Sequence, residues 1–267
     1  MIKDITIGQY VPGDSFVHKL DPRAKILISI IFIINIFLIN NIKGYVFIVA
    51  FTFIAILVSK IKFKYVYKGL KPILILITIT AVLNLFLTGG KELLFEWKFI
   101  HIYKEGLNIA IFMVVRLVFL IMGTSLLTLT TSPIELTDGI EKLLNPFRRV
   151  GLPAHELAMM MTIALRFIPT LMDETDKIMK AQMARGAEFE SGGIVQKAKN
   201  MIPLLVPLFI SAFRRADELA MAMEARCYKG GEGRTRMKQL KYTSRDYIGA
   251  CYTVVFTMLC IWTRMWK

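Results

Sequence analysis

Arg185 and Arg226 are the residues best suited to do chemistry, and the chemistry is recognition. Each follows an alanine, in Ala184-Arg185-Gly186 and in Ala225-Arg226-Cys227. A guanidinium offers a planar fork of N–H donors that fits carboxylates and carbonyl oxygens. The small residue before each arginine lets a partner's backbone come close. A single arginine at a helix end requires nothing beyond the macrodipole, which favours a cation there by about 0.3–1 kcal/mol. Two matched sites read instead as a pair of protruding plugs.

Catalysis has no comparable signature. There is no GxxxxGK[ST], so no P-loop grips ATP. His155-Glu156 lacks the second histidine of an HExxH zinc helix. Cys227, Cys251 and Cys260 form no CxxC and no metal spacing. No nucleophile, base and oxyanion site come together. We therefore expect no catalytic residues, no metal site and no cofactor bound by the chain itself.

The elements that must position the two arginines lie in one segment. Ser132 and Pro133 read as a helix N-cap and first helical position, with Glu135 in the first turn, and this helix ends near Leu144. A second helix runs from beyond Pro153 toward Met183. Its apolar stripe is Leu157, Met161, Ala164, Ile168, Leu171, Thr175 and Ile178, and Pro169 lies inside it. Ser191-Gly192-Gly193 breaks the chain. A third helix covers roughly 195–227, with Leu205, Phe209, Ala212, Ala216, Leu219 and Met223 as its stripe, and Pro203 and Pro207 bending its start. Gly230, Gly231 and Gly233 then release the chain. Nine of the 15 methionines fall in the second and third of these helices, which reads equally as gap-filling in a core or as an adaptable docking surface.

The rest of the chain is membrane-like. Of 267 residues, 55% are hydrophobic and mean hydropathy is +0.54, yet 20% are charged. Apolar runs at about 26–39, 45–58, 73–87, 107–130 and 247–263 suggest about five spans, the shorter ones extended by Lys25, Lys60 or Lys71 snorkelling to the interface. Asn40-Asn41-Ile42-Lys43-Gly44 reads as a turn between the first two. The net charge of +14 follows the positive-inside rule better than nucleic-acid binding, because the basic residues flank apolar runs. The loop with Lys60, Lys62, Lys64, Lys68 and Lys71 holds no acid, whereas Lys91 and Lys98 mix with Glu92 and Glu96. The N-terminus is then cytosolic and the C-terminus outside. Arg116, inside the fourth run, reads as snorkelling or pairing with Glu105 rather than as functional. The division is 1–131 with four spans, 132–245 cytosolic or interfacial, and 246–267 as the final span: an all-α membrane protein with a three-helix soluble part.

Several runs carry a family resemblance. ALRFIPTLMDETDKIMKAQMARG (164–186), PLFISAFRRADELAMAMEAR (207–226), TLTTSPIELTDGIEKLLNPF (128–147) and GQYVPGDSFVHKLDPRAK (8–25) resemble the transmembrane (T) subunit of energy-coupling factor transporters, a CbiQ-like family, in its shared-module form. The resemblance covers nearly the whole chain. It implies a prokaryotic plasma-membrane subunit without enzyme activity, serving vitamin and micronutrient uptake. Two related ABC ATPases (EcfA and EcfA′ type), which hold ATP and Mg, would receive Ala184, Arg185, Gly186, Ala225, Arg226 and Cys227. Interchangeable substrate-binding S components would face Met160, Met161, Pro169, Met172, Met179 and Pro207. Cys227 stands where the second signature usually has glycine, from which we expect no essential positive-φ turn there. The alternative is a permease of a conventional ABC importer, for which Asn35, Asn84, Asn108 and Arg116 are too scattered to line a path. The topology has a direct test: in a cysteine-free background, an impermeant thiol reagent added outside should label Lys98→Cys and spare Lys64→Cys.

Overall fold

The computed structural model describes residues 10–39, 41–90, 92–97, 100–189, 191, 193–230 and 239–265. Asn40, Lys91, Lys98, Gly192, Gly231 and Gly233 lie outside them. The described chain forms two compact units, one of Glu141–Lys238 and one of Gly8–Ile140 with Gln239–Lys267.

The larger unit contains the helices α1 (Pro22–Leu38), α2 (Ile42–Ser59), α3 (Phe63–Leu70), α4 (Leu74–Leu87), α5 (Lys104–Thr130) and α9 (Ser244–Met265). Each of the five apolar runs has become a helix. Three stretches, Phe63–Leu87, Lys104–Thr130 and Ser244–Arg264, are long and apolar enough to cross a membrane. α1 and α2, with 17 and 18 residues, reach only about 26 Å. The break between them is real, but Ile42, Lys43 and Gly44 already belong to the first turn of α2. A feature absent from the sequence reading is the antiparallel pair β1 (Leu93–Trp97) and β2 (Ile100–Tyr103), between α4 and α5.

α5 packs against α1, α2, α3 and α4. The core between helices is aromatic: Phe51 stacks on Phe32 at 5.4 Å, on Phe256 at 4.4 Å and on Tyr252 at 4.8 Å. Outward positions are also apolar, with Ile75 71% and Leu87 76% exposed, as a surface solvated by lipid requires. The basic stretch read as a loop is instead partly the amphipathic α3, which buries Val66 and Leu70 and leaves Lys64 and Lys68 outside. Lys60 ends α2 in the left-handed conformation at φ 54°.

Two further expectations change. Lys25 does not snorkel: it is 4% exposed and donates to the carbonyl oxygens of His18 (3.0 Å) and Thr130 (2.9 Å). Arg116 donates to the carbonyl oxygen of Ile39 at 3.2 Å and lies over the Phe37 ring, tying α5 to the end of α1. The helix end supplies an unpaired carbonyl there, so an intramembrane arginine has a structural task.

A buried polar knot joins the starts of α1 and α9. Asp21 caps α1, its Oδ1 accepting from the Arg23 backbone N–H at 2.9 Å, and Pro22 occupies the first turn. The Arg23 guanidinium grips both Asp21 oxygens, donates to Leu240 O at 3.3 Å and stacks on Tyr242. Burial alone would raise the Asp21 carboxyl, but the Arg23 bonds and charge outweigh it and hold the carboxyl below its ordinary range. The Asp21 N–H donates to Asp246 Oδ1 at 2.7 Å, while Asp246 Oδ2 accepts from the Thr243 N–H and hydroxyl. Asp246→Ala strands the buried Asp21 N–H and removes the acceptor of Thr243. It should lower stability by about 1–3 kcal/mol, read as an earlier thermal transition in detergent, with Asp246→Asn closer to the parent.

Candidate partner-docking site

The smaller unit is dominated by α7 (Ala154–Ala184) and α8 (Ile194–Ala225), preceded by α6 (Pro133–Leu144), which begins in the larger unit, and a 3-10 turn over Asn145–Val150. The Ser132 hydroxyl accepts from the Glu135 N–H, as the N-cap reading required. His155 Nδ1 lies 3.1 Å from Glu141 Oε1, and among the described residues no group of three or more His, Cys, Asp or Glu is placed to hold a metal. Pro169 in α7, and Pro203 and Pro207 in α8, sit within continuous helices.

Both arginines occupy the same structural position. Arg185 is the C-cap of α7 and Arg226 the C-cap of α8. After Arg185, the Gly186 N–H donates to Met183 O and the Ala187 N–H to Gln182 O, each at 3.0 Å. After Arg226, the Cys227 N–H donates to Glu224 O at 2.8 Å and the Tyr228 N–H to Met223 O at 3.0 Å. These are two Schellman motifs. Gly186 takes φ +86° and Cys227 φ +56°. The expectation for Cys227 is therefore overturned: the turn does need the left-handed region, and this chain forces a cysteine into it. Ala184, Arg185, Gly186, Ala225, Arg226 and Cys227 are all exposed.

The helices run antiparallel. Gln182 reaches Pro203 O, Glu174 meets Ser211 and Arg215, and Met159 and Ile163 share a cavity of about 360 Å3 with Leu219 and Met223. Arg226 borders that cavity, beside the start of α7. Arg185 lies at the other end, alongside the region near Asn200, whose side chain bonds Glu188 O. With Arg185 level with about residue 200, the tips stand roughly 40 Å apart at 1.5 Å per residue. Midway, Glu174 Oε1 accepts from the Ser211 hydroxyl at 2.5 Å and Oε2 from Arg215 at 2.9 Å. The Ser211 bond, aided by the Arg215 charge, holds the Glu174 carboxyl below its ordinary value.

The inter-helix face of α8 differs from the predicted stripe. The more buried positions are Leu204, Pro207, Leu208, Ser211, Ala212, Arg215, Leu219 and Met223, so Ala212, Leu219 and Met223 were placed correctly. Leu205 and Phe209 are 41% and 60% exposed, and Ala216 is exposed too. The run 201–213 is apolar nearly all round, and periodicity alone could not choose its inner face. Val206, Phe209, Ile210 and Phe213, all 53–67% exposed, form an outward apolar face that sequence reasoning missed. On α7, Leu157, Met161 and Ala164 face outward, while Ile168, Leu171, Thr175 and Ile178 are half-buried. Met160 and Met161 are 56% and 37% exposed, Pro169 is exposed, and Met172, Met179 and Pro207 are half-buried. The methionines thus divide between surface and packing.

The strained cap yields a prediction. Removing a non-glycine side chain from the left-handed region relieves about 1 kcal/mol. Cys227→Gly should raise the thermal transition in detergent and keep partner assembly, whereas the β-branched Cys227→Val should lower it.

Comparison with known proteins agrees with this anatomy. Residues 13–237 match the CbiQ family, described as cobalt transport protein. The chain is 71% identical over 267 residues to the energy-coupling factor transporter transmembrane protein EcfT of Clostridium kluyveri, covering 100% of this chain and 99% of that protein. It is 60% identical to the protein of that name from Thermosediminibacter oceani (98% and 99% covered) and 49% identical to that of Bacillus subtilis (99% and 100%). The family match spans both Ala-Arg tips and four of the five helices formed by the apolar runs, and the chain belongs to the CbiQ family, as a multi-pass cell-membrane component of an energy-coupling factor transporter.

Proposed function

We propose that this chain is the non-catalytic coupling subunit of its transporter. Arg185 and Arg226 each dock a different one of two related ABC ATPases, which hold ATP and Mg, and the outward apolar faces of α7 and α8 carry a substrate-binding S component. The observation that supports this reading most is the pair of identical capped tips at opposite ends of one antiparallel helix pair. A separation of roughly 40 Å suits two subunits rather than one groove. ATPase closure would move both ends of a single rigid body, and the S component on its apolar faces would move with it to deliver vitamins or other micronutrients.

The permease alternative gains nothing from the polar groups of the spans. Asn35 is 1% exposed and donates to Thr257, Asn84 donates to Thr80 O, and Arg116 reaches Ile39 O. The Asn35 and Arg116 bonds join different helices and the Asn84 bond closes on its own helix, so none is directed at a path.

Truncating one partner of a hydrogen-bonded interfacial charge pair costs on the order of 2–5 kcal/mol. Arg185→Glu with Arg226→Glu should insert and fold normally, since both side chains are exposed, yet lose ATPase co-purification and uptake in proteoliposomes. Each single variant should be milder, because the other tip still holds. Wild-type uptake by the double variant would leave the arginines with a helix-end electrostatic role alone.

A further inference from the structure

The membrane unit holds a cavity of about 280 Å3 bounded by α1, α2, α5, α9 and the turn before α1. Its walls are apolar, with Leu20, Ile28, Ile54, Val58, Leu126 and Ile248 among them. Lys25 and Thr130 border the cavity, and Phe32 lies further along α1 with Phe51 of α2 beside it. Lys25 and Phe32 are seven residues apart on α1, which makes the slot about 10 Å deep.

The polar end is unusual. An ammonium has three N–H donors. Lys25 gives two to the carbonyl oxygens of His18 and Thr130, and the third has no partner among the described residues. The charges of Glu135, Asp246 and Asp21 reach the ammonium through space, while its bonds go to backbone carbonyls and the side chain is 4% exposed. A buried cation with a spare donor thus stands at one end of an apolar slot. Water gains little in such a cavity, and an α-helix, about 10 Å across, is too wide for it. An acyl chain with an anionic head matches both ends: chain against the apolar walls, head oxygen on the ammonium.

We propose that this cavity binds one acyl chain of a membrane phospholipid, with a phosphate oxygen accepting the third N–H of Lys25. The site is independent of the docking tips and of the proposed coupling role.

The test uses the full-length protein in phosphatidylcholine vesicles containing phosphatidylglycerol with a diazirine midway along one chain. After irradiation, peptides bearing Ala55 and Leu126 should be labelled at least fivefold more than the lipid-facing peptide bearing Ile75. Ala55→Trp fills the slot and should reduce that excess to the Ile75 level, leaving Ile75 labelling unchanged. Lys25→Met should reduce it as well, and because Lys25 also ties two backbone carbonyls, Ala55→Trp decides the matter where that variant folds poorly. Equal labelling of all three peptides, or an unchanged excess in folded Ala55→Trp, overturns the proposal. A diazirine fatty acid that competes the phospholipid away at equal concentration overturns it in favour of a free-acid site.

Discussion

The antiparallel packing of α7 on α8 is the constraint on which the rest depends. It places two helix C-termini at opposite ends of one unit, and a helix C-terminus is where an arginine gains from the macrodipole and stays exposed. The Glu174–Ser211–Arg215 clasp fixes the register of the pair. Polar groups specify one alignment where a methionine-rich, apolar interface would tolerate several. A slip of one helical turn would move each tip by about 5.4 Å relative to the other helix.

The membrane unit solves a different problem. Its helices are apolar on the outside as well as the inside, so lipid gives little preference for one packing over another. Specificity comes from polar points: the Asp21–Arg23–Asp246 knot, the Lys25 bonds, Asn35 on Thr257 and Arg116 on the end of α1. Each joins elements far apart in sequence. Asp21 and Asp246, 225 positions apart, meet where α1 and α9 begin. In a low-dielectric setting such bonds are strong when complete and costly when broken.

Much of this was legible from the residues. Apolar runs marked the membrane helices, Ser132-Pro133 marked the start of α6, and the alanine-arginine pairs marked the ends of α7 and α8. What was hidden depended on tertiary context. Periodicity could not choose the inner face of α8, because residues 201–213 are apolar on every side. The basic Lys64 and Lys68 looked like loop residues, since an eight-residue amphipathic helix leaves a weak pattern. Arg23 and Lys25 were legible only as charges flanking the first span, and the cap at Asp21 was missed, because Asp246, Leu240 and Thr130 are remote in sequence. Cys227 misled for a backbone reason: a cysteine argues against positive φ, yet the hydrogen bonds of the Schellman motif impose it.

The central claim is that the two tips of one helix pair engage two separate ATPase subunits. Site-specific photo-crosslinking tests it most directly, with benzoylphenylalanine at Ala184 or at Ala225 in the assembled, membrane-embedded transporter, and mass spectrometry of the adducts. The account requires each position to crosslink one ATPase subunit, and a different one for each tip. Crosslinks from both positions to the same subunit, or to neither, would contradict it.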